Sequence, residues 1–278
     1  MVSLQSYLAR ARASLDGVWW LAVVPFAVAL LSTEKFTQLG NADFHVGVSF
    51  SFPFPVTGGW AFLSLPDAAT GVGTGGVRTA VTQFGPAALG FALLSMVATA
   101  ALTAGYLGTI HRALVDEQPH FFADARRYFV PMFGFQLLVL VYVLAALVFA
   151  VIFPLFLLVI AVVILVGGYY LYPSLHLVAD DGDLLTALVR SYQFTSAGGP
   201  ALSYAGRYLL ATALISLPAT ALFVNLGVPG VVGGLAVLAP VGLVFDTATM
   251  AFVHDAFDLS SVRGRERFSA SDDSTTHE

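Results

Sequence analysis

Six apolar stretches, most of them about as long as a bilayer-spanning helix, restrict this chain to very few folds. They cover residues 18–33, 87–110, 130–153, 155–172, 208–226 and 231–253. A helix needs about 20 mostly apolar residues to cross a hydrocarbon core about 30 Å thick. The first stretch is the shortest and needs flanking residues to reach across. The sequence therefore predicts an all-α membrane protein with six transmembrane helices.

Basic residues are distributed unequally between the two sides of these stretches. Only Lys35 and Arg78 fall on one side, and the other ten of the 12 basic residues share the opposite side: Arg10, Arg12, Arg112, Arg126, Arg127, Arg190, Arg207, Arg263, Arg265 and Arg267. Cytoplasmic loops carry the excess of arginine and lysine. We therefore expect a multi-pass protein of the cell membrane with both termini in the cytoplasm. Residues 1–255 are the predicted membrane domain, with an extracytoplasmic loop at 34–86, and residues 256–278 a disordered acidic cytoplasmic tail.

The composition excludes an ordinary soluble domain. Charged residues make up 10% of the chain, whereas soluble domains average about 25%. The absence of cysteine excludes disulfides, thiolate nucleophiles and cysteine metal sites. Lysine occurs once among the basic residues and the net charge is −5, which indicates the acidic surface of a salt-loving, haloarchaeal protein.

The chain divides into three similar units, at about 1–110, 111–175 and 176–255. Each unit begins with a predicted amphipathic cytoplasmic helix and continues into two spans joined by an outer turn. In each short helix apolar residues recur at helical spacing: Leu4, Tyr7, Leu8, Ala11 and Leu15 in the first, Phe121, Phe122, Ala125 and Phe129 in the second, and Leu184, Leu185, Leu188 and Tyr192 in the third. The three helix-hairpin units therefore repeat in topology more than in sequence.

The polar faces of these short helices carry arginines and an acidic cap. Amphipathic helices lie in the membrane interface with their arginines near lipid phosphates, so the basic residues expected to face lipid or a partner are Arg10, Arg12, Arg126, Arg127 and Arg190. Asp124 falls largely off the second apolar stripe, and Asp183 is a predicted N-cap of the third helix. Two roles are compatible with these helices: simple anchoring of the loops, and a cytoplasmic collar that binds a partner or anionic lipid. Both roles need the same apolar stripe, so the sequence does not separate them.

The outer loop contains a different periodicity. Apolar residues occupy every even position from Phe44 to Phe54, and alternation of aromatic and β-branched residues is typical of a strand. Prolines and glycines follow, and residues 60–65 could pair back as a second strand. The sequence predicts a small extracytoplasmic β-hairpin over the outer ends of the helices, with a ligand lid as the functional alternative.

Familiar catalytic motifs are absent from the sequence. It lacks H-E-x-x-H, the P-loop and G-x-S-x-G. The acidic run at 180–183 is similar to part of the aspartate-rich signature of phospholipid-headgroup transferases, but Ala187 and Arg190 do not follow its spacing and its later aspartates are missing. We therefore expect no catalytic residue, no cofactor and no metal site.

One carboxylate lies inside a predicted span. Asp246 is about seven residues before the end of the sixth span, hence roughly 10 Å below the interface at 1.5 Å per residue. Such groups face a partner or a water-filled cavity, which makes Asp246 a candidate site. The structural alternative is a hydrogen bond to Thr247, to Thr249 or to tyrosines on facing helices. His254 and Asp255 complete the candidate polar group at the membrane exit, although His254 is about 12 Å along the axis from Asp246.

Residues 172–195 carry a family resemblance: Tyr172, Pro173, Ser174, Val178, Asp180, Leu184, Ala187, Arg190, Ser191, Tyr192 and Thr195. This pattern resembles a stretch of the membrane domain found beside glycerophosphoryl diester phosphodiesterases and in related uncharacterised six-helix membrane proteins. Residues 248–255 are similar to the closing motif of that group, with His254 where a tyrosine is usual. The resemblance covers about residues 18–256 and implies the six-helix architecture. It implies no catalytic residues, because the phosphodiesterase chemistry belongs to a separate soluble barrel.

Three classes of function remain open. A membrane scaffold that binds lipid or a protein partner at the cytoplasmic face best fits the missing motifs; no nucleic-acid partner is expected. A transporter or permease component that uses Asp246 is the alternative, supported by Pro218, Pro240 and the glycines that begin the last span. A lipid-modifying enzyme is the third. A polar cavity reaching Asp246 would favour transport, and an apolar, closed bundle would favour the scaffold.

Overall fold

Helices dominate the fold, and the described part of the chain contains no strand. The computed structural model describes residues 4–32, 35–36, 39, 44–55, 58–65, 86–152 and 157–272, without the side chains of 86–89, 147, 149–152, 157–158, 161 and 258–272. The helices are α1 (Leu4–Ser14), α2 (Val23–Leu31), α3 (Gly58–Ala61), α4 (Pro86–Leu114), α5 (Phe121–Ile152), α6 (Leu157–Leu171), α7 (Ser174–Asp181), α8 (Leu184–Ser196), α9 (Pro200–Phe223) and α10 (Gly227–Asp272). Each of the six apolar stretches thus contains helix.

Four helical runs within the described ranges are long and apolar enough to cross a membrane. They are Gly90–Leu114, Phe121–Ala146, Val162–Asp181 and Pro200–Phe257. The pair Leu4–Ser14 and Trp19–Leu31 would count as a fifth if it formed one span, but it is bent by 114°. The structure is therefore that of a helical protein with several segments long and apolar enough to cross a membrane.

The 58-residue run from Pro200 to Phe257 folds back on itself. Near one end of the pair, the hydroxyl groups of Tyr204 and Thr249 are 2.9 Å apart. Near the other end, a Cβ on Gly234 would lie 2.6 Å from Cγ of Phe223. Early residues of α9 thus contact later residues of α10, and late residues of α9 contact early residues of α10. The two helices are therefore antiparallel.

Glycines let α4 and α5 approach closely as a second antiparallel pair. A Cβ on Gly105 would lie 2.7 Å from the ring of Phe121, and one on Gly108 would lie 2.5 Å from Cβ of Asp124. Small residues at helix interfaces permit such backbone approach in membrane proteins. The side chain of Asp124 is therefore pressed against α4, instead of lying on the open side of its helix.

The apolar stripe of α1 packs against the bundle. Tyr7, Ala11 and Leu15 are buried, and Leu4 and Leu8 pack around them. Tyr7 meets the edge of the Phe252 ring on α10, with ring centroids 5.5 Å apart. The amphipathic pattern of α1 therefore serves packing onto the protein itself.

The other two short helices differ from the prediction. The second predicted helix is not separate, because residues 121–129 are the first turns of the long helix α5. Within these turns the buried residues are Asp124 and Tyr128. In α8 the buried face is Ala187, Ser191 and Thr195. Leu185 and Tyr192, which belong to the predicted stripe, are exposed. Small residues face the protein here because they allow close packing.

The predicted β-hairpin is not confirmed. Residues 45–52 have no regular secondary structure, and Gly58–Ala61 form a helical turn where the second strand was expected. The two arms nevertheless come together, since His45 Nε2 lies 3.4 Å from Ser64 Oγ. Their backbone groups bond to side chains of a helix instead of to each other, as described below.

The last helix, α10, continues to Asp272. The disordered tail expected from residue 256 stays a prediction. Residues 273–278 lie outside the described residues. Both prolines that were expected to interrupt spans, Pro218 and Pro240, lie inside continuous helices.

Candidate functional site

Asp246 lies inside the bundle and is 2% exposed. The hydroxyl of Tyr106 on α4 donates a 2.8 Å hydrogen bond to Asp246 Oδ2. Thr247 and Thr249 donate instead to the carbonyl oxygens of Leu243 and Phe245 on their own helix. The sequence offered Thr247, Thr249 or a tyrosine on a facing helix as partners of the Asp246 carboxylate. The tyrosine is therefore one that contacts it.

Aromatic rings pack around this part of α10. Phe245, the residue before Asp246, meets Tyr208 of α9 at 5.3 Å and Phe62 of the outer loop at 5.7 Å between ring centroids. One helical turn and a half beyond Asp246, Phe252 stacks on Tyr204 with centroids 4.0 Å apart. Edge-to-face and stacked rings of this kind fill space closely. The carboxylate is thus enclosed by close-packed aromatic side chains.

The three residues of the predicted polar group do not form one site. Asp255 accepts two 2.9 Å hydrogen bonds from one guanidinium nitrogen of Arg10 on α1. His254 lies across from His111 of α4, with ring centroids 6.2 Å apart. Asp246, His254 and Asp255 therefore occupy three different environments.

A small cleft lies where α4, α7 and α10 meet. Polar side chains that line it are His111, His176, Asp180 and His254, and Leu177, Met250, Val253 and Phe257 complete it. His176 is 2% exposed; its Nδ1 lies 3.3 Å from the carbonyl of Tyr172, and its Nε2 has no hydrogen-bond partner among the described atoms. Within the described part of the chain, no group of three such residues is placed to hold a metal ion.

The sequence interpretation missed His176 as a candidate. His176 and Asp180 are one helical turn apart on α7, a spacing that would have indicated a shared face. The partners on other helices could not be inferred from that spacing, because they come from residues more than 60 positions away.

The predicted basic residues divide into two groups. Arg10 pairs with Asp255, and Arg190 donates to Asp180 at 3.5 Å and to Asp181 while its guanidinium lies over the Phe257 ring at 4.6 Å. These two therefore bind within the chain. The other three are exposed: Arg12, Arg126 and Arg127.

A further ion pair was not predicted at all. Arg112 Nε donates to both carboxylate oxygens of Asp124 at 3.0 Å, and its Nη1 donates to Glu117 at 2.8 Å. The Asp124 side chain is only 1% exposed. A buried carboxylate needs such a partner, and this pair ties the end of α4 to the start of α5.

The outer loop is held by polar side chains at the end of α9 and just after it. The backbone N–H of Ser49 donates to Ser216 Oγ at 2.8 Å, and that of Ser64 donates to Thr220 Oγ1 at 2.9 Å. Asn225 accepts from the N–H of His45 at 2.7 Å and donates to its carbonyl at 2.9 Å. We call Ser216, Thr220 and Asn225 the anchor residues.

Comparison of the chain with protein-family models, with curated proteins and with solved structures finds no match in any of the three. The features described above are therefore interpreted from their own chemistry.

Proposed function

We propose that this protein is a non-enzymatic membrane scaffold that binds lipid and presents its cytoplasmic face to a partner. The observation that carries the proposal is the enclosure of Asp246. Its side chain is 2% exposed and accepts a hydrogen bond from Tyr106, among rings contributed by α9 and the outer loop. A carboxylate that serves transport has to meet water or a substrate, whereas this one joins two helices.

Six spans in three helix-hairpin units are part of the proposal, with both termini in the cytoplasm. The antiparallel contacts of α9 with α10, which belong to the third unit, support it. The segment Trp19–Leu31 is shorter than the about 20 residues that a span usually needs. We propose that it crosses the membrane with help from flanking residues, while α1, bent by 114° from it, lies along the cytoplasmic interface.

Lipid binding is proposed at the exposed end of α5. Arg126 and Arg127 are exposed there, beside Phe122 and Val130, which are 86% and 74% exposed. Apolar side chains next to arginines suit the boundary between acyl chains and anionic headgroups. A collar formed by this surface and the exposed parts of α8 would also offer a docking face to a protein partner.

Membership of the six-helix group that resembles the membrane domain of glycerophosphoryl diester phosphodiesterases stays a proposal, as does a haloarchaeal origin. The order of short helix and helix pair in the first and third units supports the former.

Two measurements on the reconstituted protein test the scaffold role. Native mass spectrometry from anionic nanodiscs should show lipid retained by the wild type and by R126K/R127K, and lost from R126E/R127E, because each basic residue contributes about 1 kcal/mol of attraction near an anionic surface. Equal retention by all three variants would contradict lipid binding at this surface.

The second measurement is ion flux into proteoliposomes loaded with a pH-sensitive dye and subjected to proton and sodium gradients. We expect the wild type and D246N to match protein-free liposomes. Flux in the wild type that D246N abolishes would establish the transporter alternative instead.

A reporter after Glu278 and another near Thr74 should lie on opposite sides of the membrane, and a same-side result would remove the six-span topology.

A further inference from the structure

The outer loop does not merely cover the ends of the helices. From His45 to Ser49 it follows the α9 segment, because His45 bonds to Asn225 and Ser49 bonds to Ser216. Nine residues separate these two anchor residues, which corresponds to roughly 14 Å along a helix. Farther on, a Cβ on Gly168 near the C-terminal end of α6 would lie 3.1 Å from the Phe52 ring. The loop therefore runs down along the bundle from one end toward the other.

The two faces of this segment have opposite surroundings. Odd-numbered positions from 45 to 51 are partly buried, toward α9. Even-numbered positions carry the apolar side chains, and these are exposed: Phe44 by 81%, Val46 by 52%, Val48 by 38% and Phe50 by 73%. No Asp, Glu, Lys or Arg occurs between residues 44 and 55. The predicted alternation is present, but its apolar face points away from the protein.

The exposed face continues the outer surface of α9. Leu210, Leu214, Leu217 and Leu222 of that helix are between 48% and 67% exposed. A helix that crosses a bilayer covers such leucines with acyl chains. An uncharged surface at the same depth is added by Phe44, Val46, Val48 and Phe50. In water these side chains would form a large exposed apolar patch.

Non-helical backbone can enter a bilayer only where its polar groups are satisfied inside the protein. On the inner side of the segment, the anchor residues meet this requirement for the N–H groups of His45 and Ser49 and for the His45 carbonyl. The anchor residue Thr220 also accepts from the N–H of Ser64. We infer that residues 44–55 form a re-entrant segment in which Phe44, Val46, Val48 and Phe50 contact lipid acyl chains.

This inference rests on α9 crossing the membrane, but not on the scaffold role. The chain contains no cysteine, so single-cysteine variants carry one spin label each without further mutation. V46C and F50C report on the proposed lipid face. L214C, on the exposed side of α9, is the lipid control, and Q118C, in the exposed turn between α4 and α5, is the aqueous control.

The measurement is the accessibility of each nitroxide to oxygen and to a water-soluble nickel chelate in liposomes. We expect the oxygen-to-nickel ratio of V46C and F50C to match that of L214C and to exceed that of Q118C. A ratio like that of Q118C would overturn the re-entrant segment while leaving the span intact. Low access to both reagents with dipolar broadening would show that a second copy covers the face, and would overturn lipid contact. An aqueous ratio at L214C itself would overturn both the span and the segment.

Discussion

Tyr106 of α4 and Asp246 of α10 are joined by a 2.8 Å hydrogen bond between residues 140 positions apart in the sequence. Both side chains are buried, and Tyr106 is fully enclosed. The bond therefore fixes the two helices against each other inside the apolar part of the bundle. Its loss should be felt as lost stability, since a buried polar group without its partner is costly.

The first prediction concerns this bond. Y106F removes a donor to the carboxylate and should reduce the free energy of unfolding by about 1 to 3 kcal/mol. D246N should be milder, because an amide oxygen can still accept from the tyrosine hydroxyl. Thermal unfolding in detergent checks both variants. A Y106F protein as stable as the wild type would show that the bond does not join the helices.

The second prediction compares a buried ion pair with an exposed one. R112M leaves the enclosed Asp124 carboxylate without the Nε–H that donates to both of its oxygens and should cost about 3 kcal/mol. R10M breaks the pair with Asp255, whose two side chains are 47% and 35% exposed, and should cost at most about 1 kcal/mol. Chemical unfolding measures the difference. Adding D124N to R112M should recover part of the loss, and an absence of recovery would argue that arginine packing, not charge, is responsible.

A third prediction tests the anchor residues. T220V keeps the shape of the side chain but removes the acceptor for the Ser64 N–H, so we expect a loss of about 1 to 3 kcal/mol. T212V is the matched control, because Thr212 is equally buried on α9 but donates only to the carbonyl of Leu209 in its own helix. T220V should therefore unfold at a lower temperature than T212V. Equal melting temperatures would contradict an anchoring role.

The fourth prediction concerns the N-cap of α8. The backbone N–H and then the hydroxyl of Thr186 donate to Asp183, and these hydrogen bonds hold the pKa of its carboxyl below the ordinary value of 3.8. A lowered folded-state pKa means that the carboxylate stabilises the fold above pH 3.8 and that this contribution disappears as the pH falls through the folded-state pKa. D183A should thus melt below the wild type at neutral pH, with a difference that shrinks in acid. D183N, a neutral cap, should show no such pH dependence.

Hydropathy determined where the helices lie. Each apolar stretch contains helix, and Asp183 caps α8 as predicted, by accepting from the Thr186 N–H. Segment length and local hydrogen bonding are properties of neighbouring residues. The apolar stripe of α1 could also be located from its spacing, but its packing onto the bundle through Tyr7, Ala11 and Leu15 could not.

Only the tertiary structure decided which apolar faces point inward. In α8 and in residues 44–50 the periodicity was present, yet Leu185, Tyr192, Phe44 and Phe50 face outward. In water, an apolar face must point to the core, but in a bilayer the solvent is as apolar as the core. Periodicity then separates two faces without saying which is buried. The interior goes to small or hydrogen-bonding residues such as Ala187, and the partners of Asp246, Asp124 and the anchor residues depend on helix packing that no local pattern specifies.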